Sequence, residues 1–163
     1  MLVASTVVTL VAPRPTSRRL LAAITIAAAA VDLDAVGRPF GRGDVAWLGG
    51  HRTLTHSLTF ALVLGVAIGF AAWLGSDRRR WGTWGLVAAC AIATHGLLDA
   101  MTTYGGGVAF LAPWSWARYK FAWQPLSGVW PEVLGLWLPS VALLWWASTT
   151  RRGGASGRYR ASA

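Results

Sequence analysis

The stretch SLTFALVLGVAIGFAAWLG, residues 57 to 75, contains no charged side chain and decides the fold class. Its 19 residues are about the length that crosses the hydrocarbon core of a bilayer as an α-helix. The preceding residues 49 to 56, GGHRTLTH, place two histidines and an arginine directly before this apolar run. Such groups are costly to bury. The sequence therefore predicts a membrane helix that begins at a polar site.

Three other segments are apolar over a similar length: residues 20 to 36, 81 to 98 and 129 to 150. The first meets Asp32 and Asp34 near its end, and the last carries Glu132 near its start. The whole chain is 55% hydrophobic and only 13% charged, which is unlike an ordinary soluble protein. We therefore expect an all-α, polytopic membrane helical bundle of about four transmembrane helices.

The two ends of the chain differ from this pattern. Residues 1 to 12, MLVASTVVTLVA, are too short to span a bilayer and lack the charged start of a signal peptide, so they predict a short, half-buried N-terminal helix. Residues 151 to 163 are basic and rich in glycine, which predicts a disordered cytoplasmic tail. Residues 1 to 150 are expected to form a single helical membrane domain.

The distribution of the arginines predicts the topology. If four helices alternate in direction, ten of the 15 basic residues, in the segments 14 to 19, 78 to 80 and 151 to 160, lie on one side. The positive-inside rule makes that side cytoplasmic. The net charge of +9 is thereby explained without a nucleic-acid partner, and we expect membrane lipids as the surroundings.

The same topology brings the chain's histidines and half of its acids to the opposite, non-cytoplasmic side. These residues are Asp32, Asp34, His51, His56, His95 and Asp99. Taken singly, each has an ordinary explanation as a helix cap or a solvated loop residue, and Thr55 or Ser57 is expected to cap the second helix. Their convergence favours a functional site, since ionisable residues at membrane depth are functional candidates.

The spacing of these residues indicates metal binding. His95 and Asp99 are four residues apart, so both can address one point from one face of a helix. Asp32 and Asp34 are two apart and can face one cation only if the helix frays at Leu33. Imidazole and carboxylate ligands suit zinc, and also manganese or iron. The aromatic stretch 114 to 123 is typical of an interfacial belt, with a substrate groove as the alternative.

Several motifs together resemble the YdjM-like family of bacterial inner-membrane metal-dependent hydrolases. They are D-L-D at 32 to 34, H-R-T-L-T-H-S at 51 to 57, H-G-L-L-D at 95 to 99, A-P-W-S-W-A-R-Y at 112 to 119, and Q-P at 124 to 125. The resemblance implies a small helical protein of the inner membrane with metal-dependent hydrolase activity. More distantly, the histidine and aspartate pairs are similar to zinc-dependent phospholipase C and the S1/P1 nucleases, which favours phosphoester chemistry.

Three positions depart from the pattern of that family. Val31 stands where proline is common, Thr53 where glycine follows H-R, and Ser5-Thr6 where an early T-H pair occurs. The last departure removes one candidate ligand.

The leading hypothesis is a membrane metallohydrolase whose site faces outward and acts on an ester or phosphoester of a lipid or other amphiphile. Its expected metal ligands are Asp34, His56, His95 and Asp99, followed by Asp32. His51 is either a further ligand or the proton donor to the leaving group, and Arg52 anchors the substrate and stabilises negative charge. Two alternatives are a transporter or proton relay, and a scaffold that keeps a metal for stability.

Overall fold

The computed structural model describes residues 6, 8–9, 18–41, 43–75 and 77–146. In these ranges the regular structure is helical and no strand occurs, apart from one isolated bridge between Val108 and Tyr119. The prediction of an all-α fold is confirmed. Thr6, Val8 and Thr9 are helical, with Thr6 and Val8 buried; the rest of the predicted N-terminal helix and the tail from 151 to 163 lie outside the described residues.

Four longer helices carry the fold and begin near the predicted positions. They are α1 (Arg18–Ala30), α2 (Leu58–Leu74), α3 (Trp81–Ala100) and α4 (Val129–Trp146). A π-helical turn, Val133–Trp137, interrupts α4. Short 3₁₀ turns connect the helices, among them Leu54–His56 directly before α2 and Arg78–Arg80 directly before α3.

The first predicted helix differs from the expectation of one α-helix from 20 to 36. The α-helix ends at Ala30 and tightens into a 3₁₀ helix over Val31–Ala35. A 3₁₀ helix has three residues per turn, so side chains two apart are separated by about 120° around the axis instead of about 160° in an α-helix. This tightening lets Asp32 and Asp34 lean toward the same neighbouring turn.

Helices α2 and α3 form the closest pair, because small residues line their contact. The buried stripe of α2 consists of Ala61, Gly65, Gly69 and Ala72. A Cβ atom on Gly65 would lie 2.7 Å from the carbonyl oxygen of Gly85 in α3. Side chains larger than hydrogen would force the two backbones apart. Small residues at helix contacts are common in membranes, where association depends on close packing.

The surface of the bundle is apolar, and its helix contacts are built from small residues. Leu62, Val66 and Leu86 are all more than half exposed on the outside of α2 and α3. Two helical segments, Arg78–Ala100 and Val129–Trp146, are long and apolar enough to cross a membrane. The apolar helix Leu58–Leu74 is shorter. The described residues therefore form a helical bundle with two helices that could span a membrane by length and composition, while the count of four spans stays a prediction.

Candidate metal centre

The six ionisable residues singled out by their sequence positions lie together where three segments meet. These segments are the 3₁₀ helix after α1, the turn before α2 and the C-terminal part of α3. The residues are Asp32, Asp34, His51, His56, His95 and Asp99. Each has a side-chain nitrogen or oxygen no more than 3.5 Å from that of another member.

Two local features let α2 and α3 approach the turn that carries His56. Ser57 caps α2, since its Oγ accepts a hydrogen bond of 3.1 Å from the backbone nitrogen of Phe60. Gly96 of α3 lies directly beneath the turn, and a Cβ atom there would be 2.7 Å from the carbonyl oxygen of His56. Glycine at position 96 therefore allows His95 and Asp99 of α3 to reach His56.

Asp34 is fully buried, and its carboxylate contacts two histidines. Its Oδ1 lies 2.7 Å from Nδ1 of His51, and its Oδ2 lies 3.3 Å from Nδ1 of His56. Oδ2 also accepts hydrogen bonds from the hydroxyl of Thr55, at 2.5 Å, and from the backbone nitrogen of Arg52, at 3.3 Å. A carboxylate on Nδ1 fixes the tautomer and orientation of an imidazole, leaving Nε2 as the ligand atom.

The opposite nitrogen of His56 lies among carboxylates. Its Nε2 is 3.2 Å from Oδ2 of Asp99 and 3.5 Å from Oδ1 of Asp32. It is buried, and among the described residues it has no hydrogen-bond partner of suitable geometry. An unsatisfied buried polar atom typically costs about 1–3 kcal/mol. A cation between this nitrogen and the two carboxylates removes that cost, so the residues fit a metal ion.

His95 completes the cluster from α3. Its Nε2 lies 3.3 Å from Oδ1 of Asp32, the same oxygen that faces His56. One ligand atom from each of His56, His95 and Asp99 lies within 4.8 Å of the others, and the same holds for Asp32, His51 and His56. The two sets share His56, which makes this residue the centre of the site.

The electrostatics of the cluster favour a bound cation. Burial by itself lowers the pKa of His56, but the adjacent carboxylates of Asp32, Asp34 and Asp99 outweigh it and raise the pKa to about 10. The three carboxylates thus hold a positive charge at His56, as a proton or as a metal ion.

Arg52 borders the cluster in an unusual backbone conformation. It is the only described residue other than glycine with a positive φ, 65°. Its Nε lies 3.1 Å from Oδ2 of Asp99, and its Nη1 donates to the carbonyl oxygen of Tyr104. Left-handed backbone in a non-glycine residue is strained and collects at functional sites. This backbone conformation places the guanidinium of Arg52 beside Asp99, one of the candidate ligands.

A cavity of about 560 Å³ opens beside the cluster. Its lining combines Asp32, Arg52, His95 and Asp99 with Leu98, Leu126, Leu136 and Trp137. We call it the apolar cavity. Its volume falls in the range of about 300–1,000 Å³ that is usual for small-molecule sites.

Glu132 of α4 also lines the apolar cavity, although it had no assigned partner in the sequence. Its position as the one acid in the apolar segment 129 to 150 was the available signal. The sequence could not predict that Glu132 lies near the cluster, because the direction in which α4 approaches the cluster depends on the tertiary structure.

The positions that depart from the family pattern have ordinary structural contacts. Val31 is fully buried. Thr53 adopts a φ of −114°, which does not require glycine, and its hydroxyl donates to the carbonyl oxygen of Leu48 at 2.7 Å. The hydroxyl of Thr6 donates to the carbonyl oxygen of Ser140 in α4 at 3.3 Å. Thr6 thus contacts α4.

Comparison with known proteins assigns the chain to a family. The family model described as YdjM inner membrane protein matches residues 1–157. The inner membrane protein YbcI of Escherichia coli (strain K12) is 34% identical, over 78% of this chain and 84% of that relative. No solved structure matches the chain. With nearly its whole length matched, the chain belongs to the YdjM inner membrane protein family.

Proposed function

We propose that this protein is a membrane-embedded, metal-dependent hydrolase that cleaves an ester or phosphoester at the non-cytoplasmic surface of the inner membrane. The observation that carries the proposal is the buried Nε2 of His56, which makes no hydrogen bond of suitable geometry within the described part of the chain and lies 3.2 Å from the carboxylate of Asp99 and 3.5 Å from that of Asp32. Both carboxylates also line the apolar cavity, so a metal ion held there would be accessible to a substrate.

The proposed ligands are the Nε2 atoms of His56 and His95 and the carboxylates of Asp32 and Asp99. Asp34, expected as a ligand from the sequence, is assigned a supporting role because it contacts the Nδ1 atoms of His51 and His56. Two imidazoles and two carboxylates suit zinc, manganese and iron. We propose zinc, to be tested beside the other two metals.

A divalent cation at this position would supply an activated water and Lewis-acid stabilisation of the ester. The residues around it have complementary tasks. Arg52 would stabilise negative charge developing on the substrate. His51, whose Nδ1 is held by Asp34, would donate a proton to the leaving oxygen. The apolar cavity would keep the hydrocarbon part of an amphiphilic or lipid-linked substrate next to these groups.

The proposed topology has four spans, and the lengths of the two shorter helices support it. The 13 residues of α1 and the five residues of the following 3₁₀ helix together measure about 30 Å, close to the hydrocarbon thickness. The 17 residues of α2 measure about 26 Å, within reach of the same thickness. The arginines at 78 to 80 would then be cytoplasmic, and the metal centre would face outward.

The topology is tested with reporter fusions at Arg79 and at Gly106. We expect opposite signals, since Arg79 precedes α3 and Gly106 follows it. Equal signals would place both ends of α3 on one side and would reject an outward-facing centre.

The activity is tested with purified full-length protein in lipid nanodiscs. Phosphatidate, a lyso-lipid and aryl phosphate and carboxylate esters serve as substrates, with chelator or with added zinc, manganese or iron. We expect turnover that chelator abolishes and metal restores, and none from His56→Ala. The variant Asp77→Asn, at the opposite end of α3, is the matched control and should keep both metal and turnover. Turnover that ignores chelator and survives His56→Ala would reject the proposal; bound metal without turnover would favour a scaffold.

A further inference from the structure

A second cavity, of about 190 Å³, lies next to the apolar cavity. Arg52 and Tyr104 line both cavities, so the two share a wall. The other side chains of the second cavity are those of Arg38, Asp44, His51 and Arg118. We call this second space the headgroup cavity.

The headgroup cavity is basic. Three guanidinium groups line it against one carboxylate, that of Asp44. Asp44 is already paired with Arg38, since its Oδ2 accepts a hydrogen bond of 3.0 Å from Nη2 of that arginine. Arg118 makes one long hydrogen bond, in which its Nη1 donates to the carbonyl oxygen of Gly107 at 3.5 Å. Arg118 has no carboxylate partner among the described residues, so its charge is available to an anion.

Next to the headgroup cavity, the loop from 103 to 107 holds a further positive charge. Lys120 donates from Nζ to the carbonyl oxygens of Thr103 and Gly105, both at 3.2 Å. Gly105 itself lines the cavity with a φ of 70°, and a Cβ atom there would lie 3.2 Å from Nη1 of Arg52. This glycine therefore lets the loop close against Arg52.

We infer that the headgroup cavity binds the phosphate group of an amphiphile whose hydrocarbon part lies in the apolar cavity. Guanidinium groups match the planar, bidentate geometry of phosphate oxygens. Leucine and tryptophan side chains line the adjoining space, across the shared residue Arg52. This inference rests on the proposed function, because it names the substrate class of the same centre. It adds Arg118 as a binding residue.

Binding is measured by isothermal titration calorimetry on the full chain in detergent with excess chelator. The probes are dihexanoyl phosphatidate, dihexanoyl phosphatidylcholine and inorganic phosphate. Chelator removes any contribution from a metal, so only the side chains of the protein can hold the phosphate. We expect phosphatidate to bind at least about tenfold more tightly than either other probe, since only it has both a phosphate monoester and a hydrocarbon part.

Arg118→Gln should weaken phosphatidate binding by about tenfold or more, as is typical for loss of a charge-assisted hydrogen bond. Arg118→Lys keeps the charge and should lose less phosphatidate affinity than Arg118→Gln. Arg79→Gln removes one positive charge outside the cavity and should bind as wild type. Equal losses in Arg118→Gln and Arg79→Gln would overturn the inference. Equal affinity for inorganic phosphate and phosphatidate would show that the ligand is free phosphate and not an amphiphile.

Failure of this inference can be distinguished from failure of the proposed function. Binding is measured without metal, whereas hydrolysis requires it. If phosphatidate binds as expected but metal-loaded protein hydrolyses no ester, the headgroup cavity stands and the hydrolase proposal falls. If turnover depends on metal while Arg118→Gln binds and hydrolyses as wild type, the hydrolase proposal stands and the headgroup cavity is rejected.

Discussion

Oδ2 of Asp34 lies 3.3 Å from Nδ1 of His56, whereas the carboxylates of Asp32 and Asp99 lie beside Nε2 of the same ring. This contact separates the acids of the cluster into two kinds. Asp34 touches the nitrogen that keeps its proton when a metal binds. Asp32 and Asp99 surround the nitrogen that a metal ion would take.

Asp34→Asn tests this division. An amide holds the imidazoles less firmly than a carboxylate, so we expect metal affinity to fall by about 10- to 100-fold, with the stoichiometry unchanged at saturating metal. Competition against a chromophoric chelator measures the affinity. Asp99→Asn should lower metal affinity more than Asp34→Asn does, because it would remove a carboxylate ligand of the metal. Equal losses in the two variants would make Asp34 a ligand as well.

His95→Ala and Asp99→Ala should be coupled. Both side chains supply ligand atoms to the group that includes His56, within 4.8 Å of one another. If they serve one ion, the second substitution costs less once the first has emptied the site, and a double-mutant cycle in metal affinity shows the coupling. Additive losses would indicate two separate sites or general destabilisation.

Metal binding should release a proton. The pKa of His56 is raised to about 10 in the metal-free protein, so its imidazole is protonated at neutral pH. A metal ion requires the neutral imidazole. Metal affinity should therefore increase as the pH is raised and level off near pH 10, because protons compete for His56 at lower pH. Calorimetry at pH 7.5 in buffers of different ionisation enthalpy counts the protons. Release of none would show that His56 is neutral in the metal-free protein or that its Nε2 does not bind the metal.

Gly96→Ala should weaken both the fold and the site. The added methyl group would lie 2.7 Å from the carbonyl oxygen of His56, so α3 must move away from the turn. Crowding of this kind typically costs about 1–3 kcal/mol. Thermal unfolding in detergent and metal affinity should both decrease.

The matched control is Gly82→Ala in the same helix, where a Cβ atom meets nothing within 4 Å. It should be neutral or stabilising by up to about 1 kcal/mol, because alanine favours helix over glycine. If both variants were equally stable and both bound metal, the close approach at Gly96 would be unimportant.

Arg52→Gln should slow turnover by about 10²- to 10³-fold, the usual effect of removing one donor to a developing negative charge. Metal content should not change, because no metal ligand is lost. Elemental analysis beside the nanodisc assay separates the two effects. Loss of metal from Arg52→Gln would show that this arginine acts by holding Asp99, 3.1 Å from its Nε.

Sequence reasoning reached the helices and the cluster because both depend on local patterns. The apolar runs gave α2, α3 and the start of α4, and the four-residue spacing placed His95 and Asp99 on one face. The end of α1 was missed, since the change to a 3₁₀ helix at Val31 accompanies contacts of Asp34 with residues 17 to 21 positions later. Propensity within a short window cannot report such contacts.

By itself the sequence determined that the protein is helical, suited to a membrane and equipped with histidines and aspartates at helix ends, because composition and periodicity are properties of each segment alone. Only the tertiary structure decided which nitrogen of His56 each acid faces, that Glu132 reaches the apolar cavity, and that Arg38 and Arg118 line one space. These relationships depend on the direction of each side chain and on the close approach permitted by Gly96. Both arise from contacts between segments far apart in the chain.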